Sequence, residues 1–217
     1  MDLKFIRDHK TLTHNQIIHL DQYDIPNYQW GAPDVNSRFK LIAYSRERSW
    51  TNGLCCPSLE GWVISWLRSH GVQSSIVFTV DNGEEFGGKS WMKIKELRQL
   101  ISGFGCRLIQ NHKGSFQRKD DDEEFYIPRA LHINSEADLL NEAMGYIYYH
   151  NNGRDHSSLN YQTPFSYLKT QLPDINDKIR FVVPIMLDKT SVAMGPWSGY
   201  HVLARHLVGA LAPGLIS

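Results

Sequence analysis

The order of strand and helix signals predicts an α/β fold: a mixed five-stranded sheet with flanking helices. Three observations lead there. Short β-rich runs dominate the first 45 residues, and from Ser58 onward helical apolar spacing alternates with further short β-rich runs. The composition, 217 residues with 41% hydrophobic and 21% charged, is that of one soluble globular core plus appendages.

The elements follow in order. Asn15 to Tyr23 reads as a first strand ending in acidic residues, Tyr28 to Val35 as a second and Phe39 to Ser45 as a third, together an antiparallel meander. From Ser58, Leu59, Trp62, Val63, Trp66 and Leu67 recur at i, i+3, i+4, i+7 and i+8, and Gly71 stops the helix they define. Ser75 to Val80 is a fourth strand, broken by Asp81-Asn82-Gly83. A helix over about Ser90 to Ser102 places Ile94, Leu97, Leu100 and Ile101 on one face, and Arg107 to Gln110 is short enough for an inner strand. Ser135 and Asp138 form a capping box for a helix that buries Leu140, Ala143, Met144 and Ile147 and ends near Asn151-Asn152-Gly153. Past Pro173 the prolines at 184, 196 and 213 predict an extended tail with one helix near Val202 to Leu211. The expected division is a lead-in over 1–14, a core over 15–170 and a C-terminal extension over 171–217.

Several function classes drop out. The longest apolar runs are far shorter than a membrane span, and Met1 to Lys10 lacks a signal-peptide core, so the chain reads as cytoplasmic. Three cysteines build no disulfide framework; Cys55 and Cys56 are adjacent, and with His14 and His19 they lack zinc-ligand spacing. Cys106 reads as a small buried hydrophobe. The zero net charge hides an asymmetry, because residues 89–119 hold 8 basic side chains and 1 acidic one. Lys89, Lys93, Lys95, Arg98, Arg107, Lys113, Arg118 and Lys119 are either a solvated face or a footprint for a phosphate backbone.

The sharpest local feature is Thr79-Val80-Asp81-Asn82-Gly83-Glu84-Glu85-Phe86-Gly87-Gly88. A carboxylate at the carboxyl end of a buried strand, followed by a glycine turn, projects where α/β sheets hold their ligands. Asp21, or Asp24 three residues on, ends the first strand, and neighbouring strands would bring the acids together. Like charges so placed call for divalent cations, and oxygen-only ligands favour Mg²⁺ or Mn²⁺.

Asp81-Asn82-Gly83-x-Glu85-Phe86 resembles the D-N-G-x-E-F signature of the retroviral-integrase-like catalytic core found in bacterial insertion-sequence transposases. Asp34-Val35-Asn36-Ser37-Arg38-Phe39 is similar to that family's D-x-x-S-R strand, and Asn151-x-x-Arg154-x-His156-x-x-Leu159-x-x-x-Thr163-Pro164 to its N-x-x-R-x-H-x-x-L-x-x-x-T-P block. The resemblance implies an RNase H-like fold and phosphoryl transfer on DNA, with Asp, Asp and Glu holding two metal ions. Carried over, the first acid is Asp21, the second is Asp81, and Arg154 and His156 anchor the segment after the long helix.

The third position departs from the pattern. With 35 residues between it and Asp81, the family's Glu falls on Gln117, in a register supported by Gly114 three residues earlier. Only Arg118-Lys119 separate it from the acidic run Asp120 to Glu124, about two residues fewer than related transposases have. A carboxamide carries no charge, so the second ion would be held weakly, and Glu123 or Glu124 would lie too far along a helix to substitute. The acidic run itself reads as a solvated face. Lys113, Arg118 and Lys119 are the expected phosphate contacts. The expectation is a DDE-type transposase or integrase domain disarmed at Gln117, acting on DNA as a homo-oligomer without a membrane. A non-catalytic DNA-binding remnant is the alternative. Related full-length transposases carry a helix-turn-helix region before the core, so the chain reads as a truncated or separately encoded core.

Overall fold

In the computed structural model, which describes residues 1–48, 59–80, 83, 86, 88–110 and 121–192, strands and helices pack into a mixed α/β fold. Strand β1 (Asp2–Phe5) pairs antiparallel with β2 (Tyr28–Pro33), and β2 pairs antiparallel with β3 (Lys40–Ser45). A two-residue strand far along the chain, Ile185–Met186, runs parallel to β3, giving a four-stranded sheet. Strands β4 (Val77–Val80) and β5 (Arg107–Gln110) form a parallel pair, joined through a helix as parallel pairing requires. A hydrogen bond ties the two sheets: the Met1 nitrogen donates to the Thr79 carbonyl oxygen over 2.5 Å.

The first strand is therefore not where periodicity placed it. Asn15 to Tyr23 is helical: α1 spans His14–Gln22. Thr13 and Gln16 form a reciprocal capping box, in which the Gln16 amide donates to the Thr13 hydroxyl and the Thr13 amide to Gln16 Oε1. Ile17 and Leu20, three apart, face the core. The strand lies upstream, where Asp2-Leu3-Lys4-Phe5 alternates with period two. Leu3 is buried on the face of Trp30, while Asp2 and Lys4 point to the other side.

The helices α2 (Leu59–Ser69), α3 (Trp91–Gly103) and α4 (Glu136–Asn152) match the predicted segments within a residue or two. Ser135 caps α4 by accepting from the Asp138 amide over 3.0 Å. The core-facing residues of α4 are Leu139, Ala143, Tyr146 and Ile147, so Ala143 and Ile147 are buried as expected while Leu140 and Met144 are only partly covered. Thr163 and Pro164 open a helix the periodicity did not show, α5 (Pro164–Gln171): Thr163 is the N-cap and Pro164 sits in the first turn, where its missing N–H costs nothing. Ile175, Ile179, Val182, Met186 and Leu187 join the same core as the sheet, although all lie past residue 170. Trp62, Val63 and Cys106 are buried as the sequence reading held, whereas Trp66 is partly covered. The helix expected near Val202 to Leu211 lies outside the described residues. Among those described, no helix is long and apolar enough to cross a membrane.

Candidate functional site

Two acids were expected to end neighbouring strands. Asp21 does not: it occupies the last turn of α1, its side chain 59% exposed, and Oδ1 accepts from Arg7 Nε over 2.5 Å. The buried Arg7 guanidinium also donates to the carbonyls of Leu20, Ile25 and Pro26 and to Asn27 Oδ1, so it closes the carboxyl end of α1 and fastens the following turn. Asp24, the alternative, is an exposed turn residue with φ +48° whose carboxylate pairs with Arg46 at 2.7 Å. Both carboxylates serve local structure.

The strand that abuts β4 carries a different acid, Asp2, which the sequence reading passed over. It is half-buried, stands opposite Gly31 of β2, and accepts from the Leu3 amide at 3.0 Å. Gly31 leaves room beside it: a Cβ there would meet nothing nearer than the Asp2 carbonyl oxygen at 4.0 Å. The alternation of β1 that places Asp2 and Lys4 on one face was the available signal. Asp81 follows Val80, the last residue of β4, and with Gln117, Lys113, Arg118 and Lys119 it lies outside the described residues.

The described part of the D-N-G-x-E-F segment is anchored. The Gly83 carbonyl accepts from the Phe86 amide at 3.0 Å and the Gly88 amide at 2.9 Å, and Gly88 takes φ +54°, a conformation glycine adopts at low cost. Phe86, fully buried, meets the Trp30 ring edge-on with centroids 6.0 Å apart. The phenylalanine of the motif thus pins the loop after β4 onto β2.

The other two motifs are structural. Asp34 Oδ2 accepts from both the Ser37 amide (2.8 Å) and the Ser37 hydroxyl (2.6 Å), which closes the β2–β3 connection and leaves Arg38 at φ +63°. Asn151, fully buried on α4, accepts from the Lys40 amide and donates to the Lys40 carbonyl, each at 2.9 Å. His150 Nε2 meets the Arg38 carbonyl at 3.2 Å. Its neutral form is favoured, because burial and the nearby Lys40 charge push its pKa down to about 4. Arg154 pairs with Glu124 at 2.7 Å, and the His156 ring lies edge-on to His150. These contacts explain the spacing of the block: one helix end clamps the β2–β3 hairpin.

Asp121 and Asp122 of the acidic run do not form the solvated face expected of it; Glu123 is exposed, and Asp120 lies outside the described residues. Asp121 is buried, pairs with Lys40, and accepts from Gln29 Nε2 (2.7 Å) and the Tyr146 hydroxyl (2.8 Å). Asp122 pairs with Lys4. Asp122–Tyr126 forms a π-helical turn that lays this network across the sheet face bearing Lys4, Gln29 and Lys40, and burial drives the Tyr44 and Tyr126 phenols upward. Two buried lysines on the sheet oblige the run to supply carboxylates there. By strand alternation Asp2 shares this face with Lys4.

No family model and no curated protein matches the chain.

Among the described residues there is no group of three or more His, Cys, Asp or Glu side chains able to hold a metal ion. His19, weighed above as a zinc ligand, sits with Nε2 at 3.2 Å from the Ile133 carbonyl oxygen. Asp2 alone among the described acids combines a strand position, a glycine opposite it, and proximity to β4. An oxygen donor of that kind fits Mg²⁺ or Mn²⁺ when a second carboxylate joins it. Lys89, Lys93, Lys95, Arg98 and Arg107 are all exposed, so the described part of the basic segment lies at the surface.

Proposed function

We propose that the chain is the catalytic core of a DDE-type transposase or integrase, built on an RNase H-like five-stranded sheet, with Asp2 and Asp81 as the metal-binding acids and Gln117 in the place of the third. The observation that carries the reading is the junction of β1 and β4. An antiparallel β1–β2–β3 meander presents Asp2 beside Thr79, and two residues past Thr79 the chain reaches the D-N-G-x-E-F segment. β4 and β5, parallel to each other, would extend the meander past β1 into the five strands of that fold. The first acid moves from Asp21 to Asp2 because the family's acid belongs to the first strand, and the first strand is β1.

Gln117 stands four residues before Asp121, whose carboxylate is held on the sheet face that Asp2 shares. That supports its assignment to the third position. Two bound divalent ions would supply an activated attacking oxygen and charge relief for the leaving oxygen of an in-line displacement on DNA. Asp2, fixed on a paired strand, and Asp81 would orient them, and the exposed cations of residues 89–107 would take up the phosphate backbone. Gln117 offers an oxygen without charge. Glu124, committed to Arg154, is no substitute. The neutral Gln117 also favours a second reading, a DNA-binding, homo-oligomeric remnant that occupies DNA without cutting it.

Nicking of supercoiled plasmid in Mn²⁺ separates them. Gln117→Glu is expected to gain nicking activity over the unmodified chain and to lose it again on Asp81→Ala. Equal nicking by Gln117→Glu with and without Asp81 would refute the catalytic assignment.

A further inference from the structure

Resting on the reading of this chain as a DNA-acting protein, we propose that the exposed face of α3 is a docking track for unpaired DNA, with Trp91 as the platform on which one base stacks. Two observations carry it. Trp91 and Met92 open α3 at 68% exposure each, an unusual placement for an indole, which normally hides most of its surface. The same segment is cationic: residues 89–98 hold Lys89, Lys93, Lys95 and Arg98 against a single carboxylate, Glu96, and all four cations are exposed.

Helical geometry arranges three of these groups in a line. Leu97 and Ile101 bury one face, and Trp91, Lys95 and Arg98, at i, i+4 and i+7, form a ridge away from it. The Lys95 ammonium sits 5.1 Å from the Trp91 ring centroid, so a cation already rests against the indole. Seven residues of helix span about 10 Å, roughly three nucleotides at the rise of one DNA strand. A polyanion answers the lysines and the arginine, while a bare aromatic ring answers a base that is not already stacked in a duplex. An apolar protein partner would meet the Lys95 and Arg98 charges beside the indole, and duplex DNA would leave the indole unused. The track is a separate element from the Asp2 strand, and it is independent of bound metal.

The test is fluorescence anisotropy in EDTA, with a labelled twelve-nucleotide oligothymidylate and a labelled twelve-base-pair duplex against the full chain. Trp91→Ala is expected to weaken single-strand binding about fivefold and duplex binding less than twofold, with Trp91→Phe restoring most of the loss. Lys95→Glu with Arg98→Glu weakens both and lowers the salt dependence. Because Trp91 is exposed, the unfolding midpoint of Trp91→Ala stays near that of the unmodified chain, which separates a binding loss from a folding loss. Equal losses on the two probes, no loss on either, or no oligothymidylate binding by the unmodified chain would overturn the proposal. Since no metal or cleavage enters the readout, failure of the Asp2–Asp81 assignment leaves this result standing, and failure here leaves that assignment standing.

Discussion

Replacing Asn151 by alanine removes two hydrogen bonds that β3 cannot replace. The Asp34 amide donates to the Phe39 carbonyl at 2.7 Å, so by strand alternation the Lys40 N–H and C=O point away from β2. On that side the parallel strand Ile185–Met186 reaches only Ala43 and Tyr44, and the Asn151 carboxamide stands in for the missing backbone, at 2.9 Å to each group. Pro33, opposite Lys40, is harmless here because that pairing asks for no N–H. Asn151→Ala strands one buried donor and one buried acceptor, each costing about 1–3 kcal/mol, for a total of about 2–6 kcal/mol. With a urea slope of about 2 kcal/mol/M, the midpoint falls by about 1–3 M. Asn152→Ala is the control: that side chain donates to the Tyr148 carbonyl of its own helix at 2.9 Å and reaches the Arg180 carbonyl only at 3.5 Å, so its loss costs under about 1 kcal/mol. A midpoint shift below about 0.3 M for Asn151→Ala would refute the clamp and return the motif asparagine to a functional role.

Two further predictions concern the buried polar layer. His150 is held neutral when folded, with its pKa lowered from 6.5 to about 4, so nothing is lost above pH 6.5; as pH falls below that, the unfolded chain gains a proton the folded chain refuses, and stability drops by about 2 kcal/mol at pH 5. Urea midpoints measured from pH 7 to pH 5 fall less steeply in His150→Gln. Asp121→Asn leaves the buried Lys40 ammonium without its counter-charge and costs about 3–5 kcal/mol by thermal or urea unfolding.

How far the sequence could be read depended on whether the partners of a residue were near it in the chain. α3 and α4 carry their own apolar stripes and, for α4, a capping serine, so local periodicity sufficed. α1 also carried its signal, the Thr13-x-x-Gln16 box, but a nine-residue helix with two adjacent isoleucines mimics strand alternation. β1 is four residues long, and only its pairing with β2 makes it a strand. The acidic run was misread because its partners are remote: Lys40 lies 81 residues before Asp121, and Lys4 lies 118 before Asp122. Of the proposed site, Asp81 was legible in its motif, whereas the choice of Asp2 depended on which strand borders β4. That adjacency is a tertiary fact, seen in the bond from the Met1 nitrogen to the Thr79 carbonyl.

Asp2, not Asp21, is proposed as the acid that partners Asp81. Calorimetric titration of Mn²⁺ into the unmodified chain, Asp2→Asn, Asp21→Asn and Asp81→Ala tests it directly. Asp2→Asn and Asp81→Ala are each expected to abolish the tighter Mn²⁺ site while Asp21→Asn leaves it intact, since Asp21 is engaged by Arg7 on the surface of α1. Loss of Mn²⁺ binding in Asp21→Asn with retention in Asp2→Asn would contradict the Asp2 assignment.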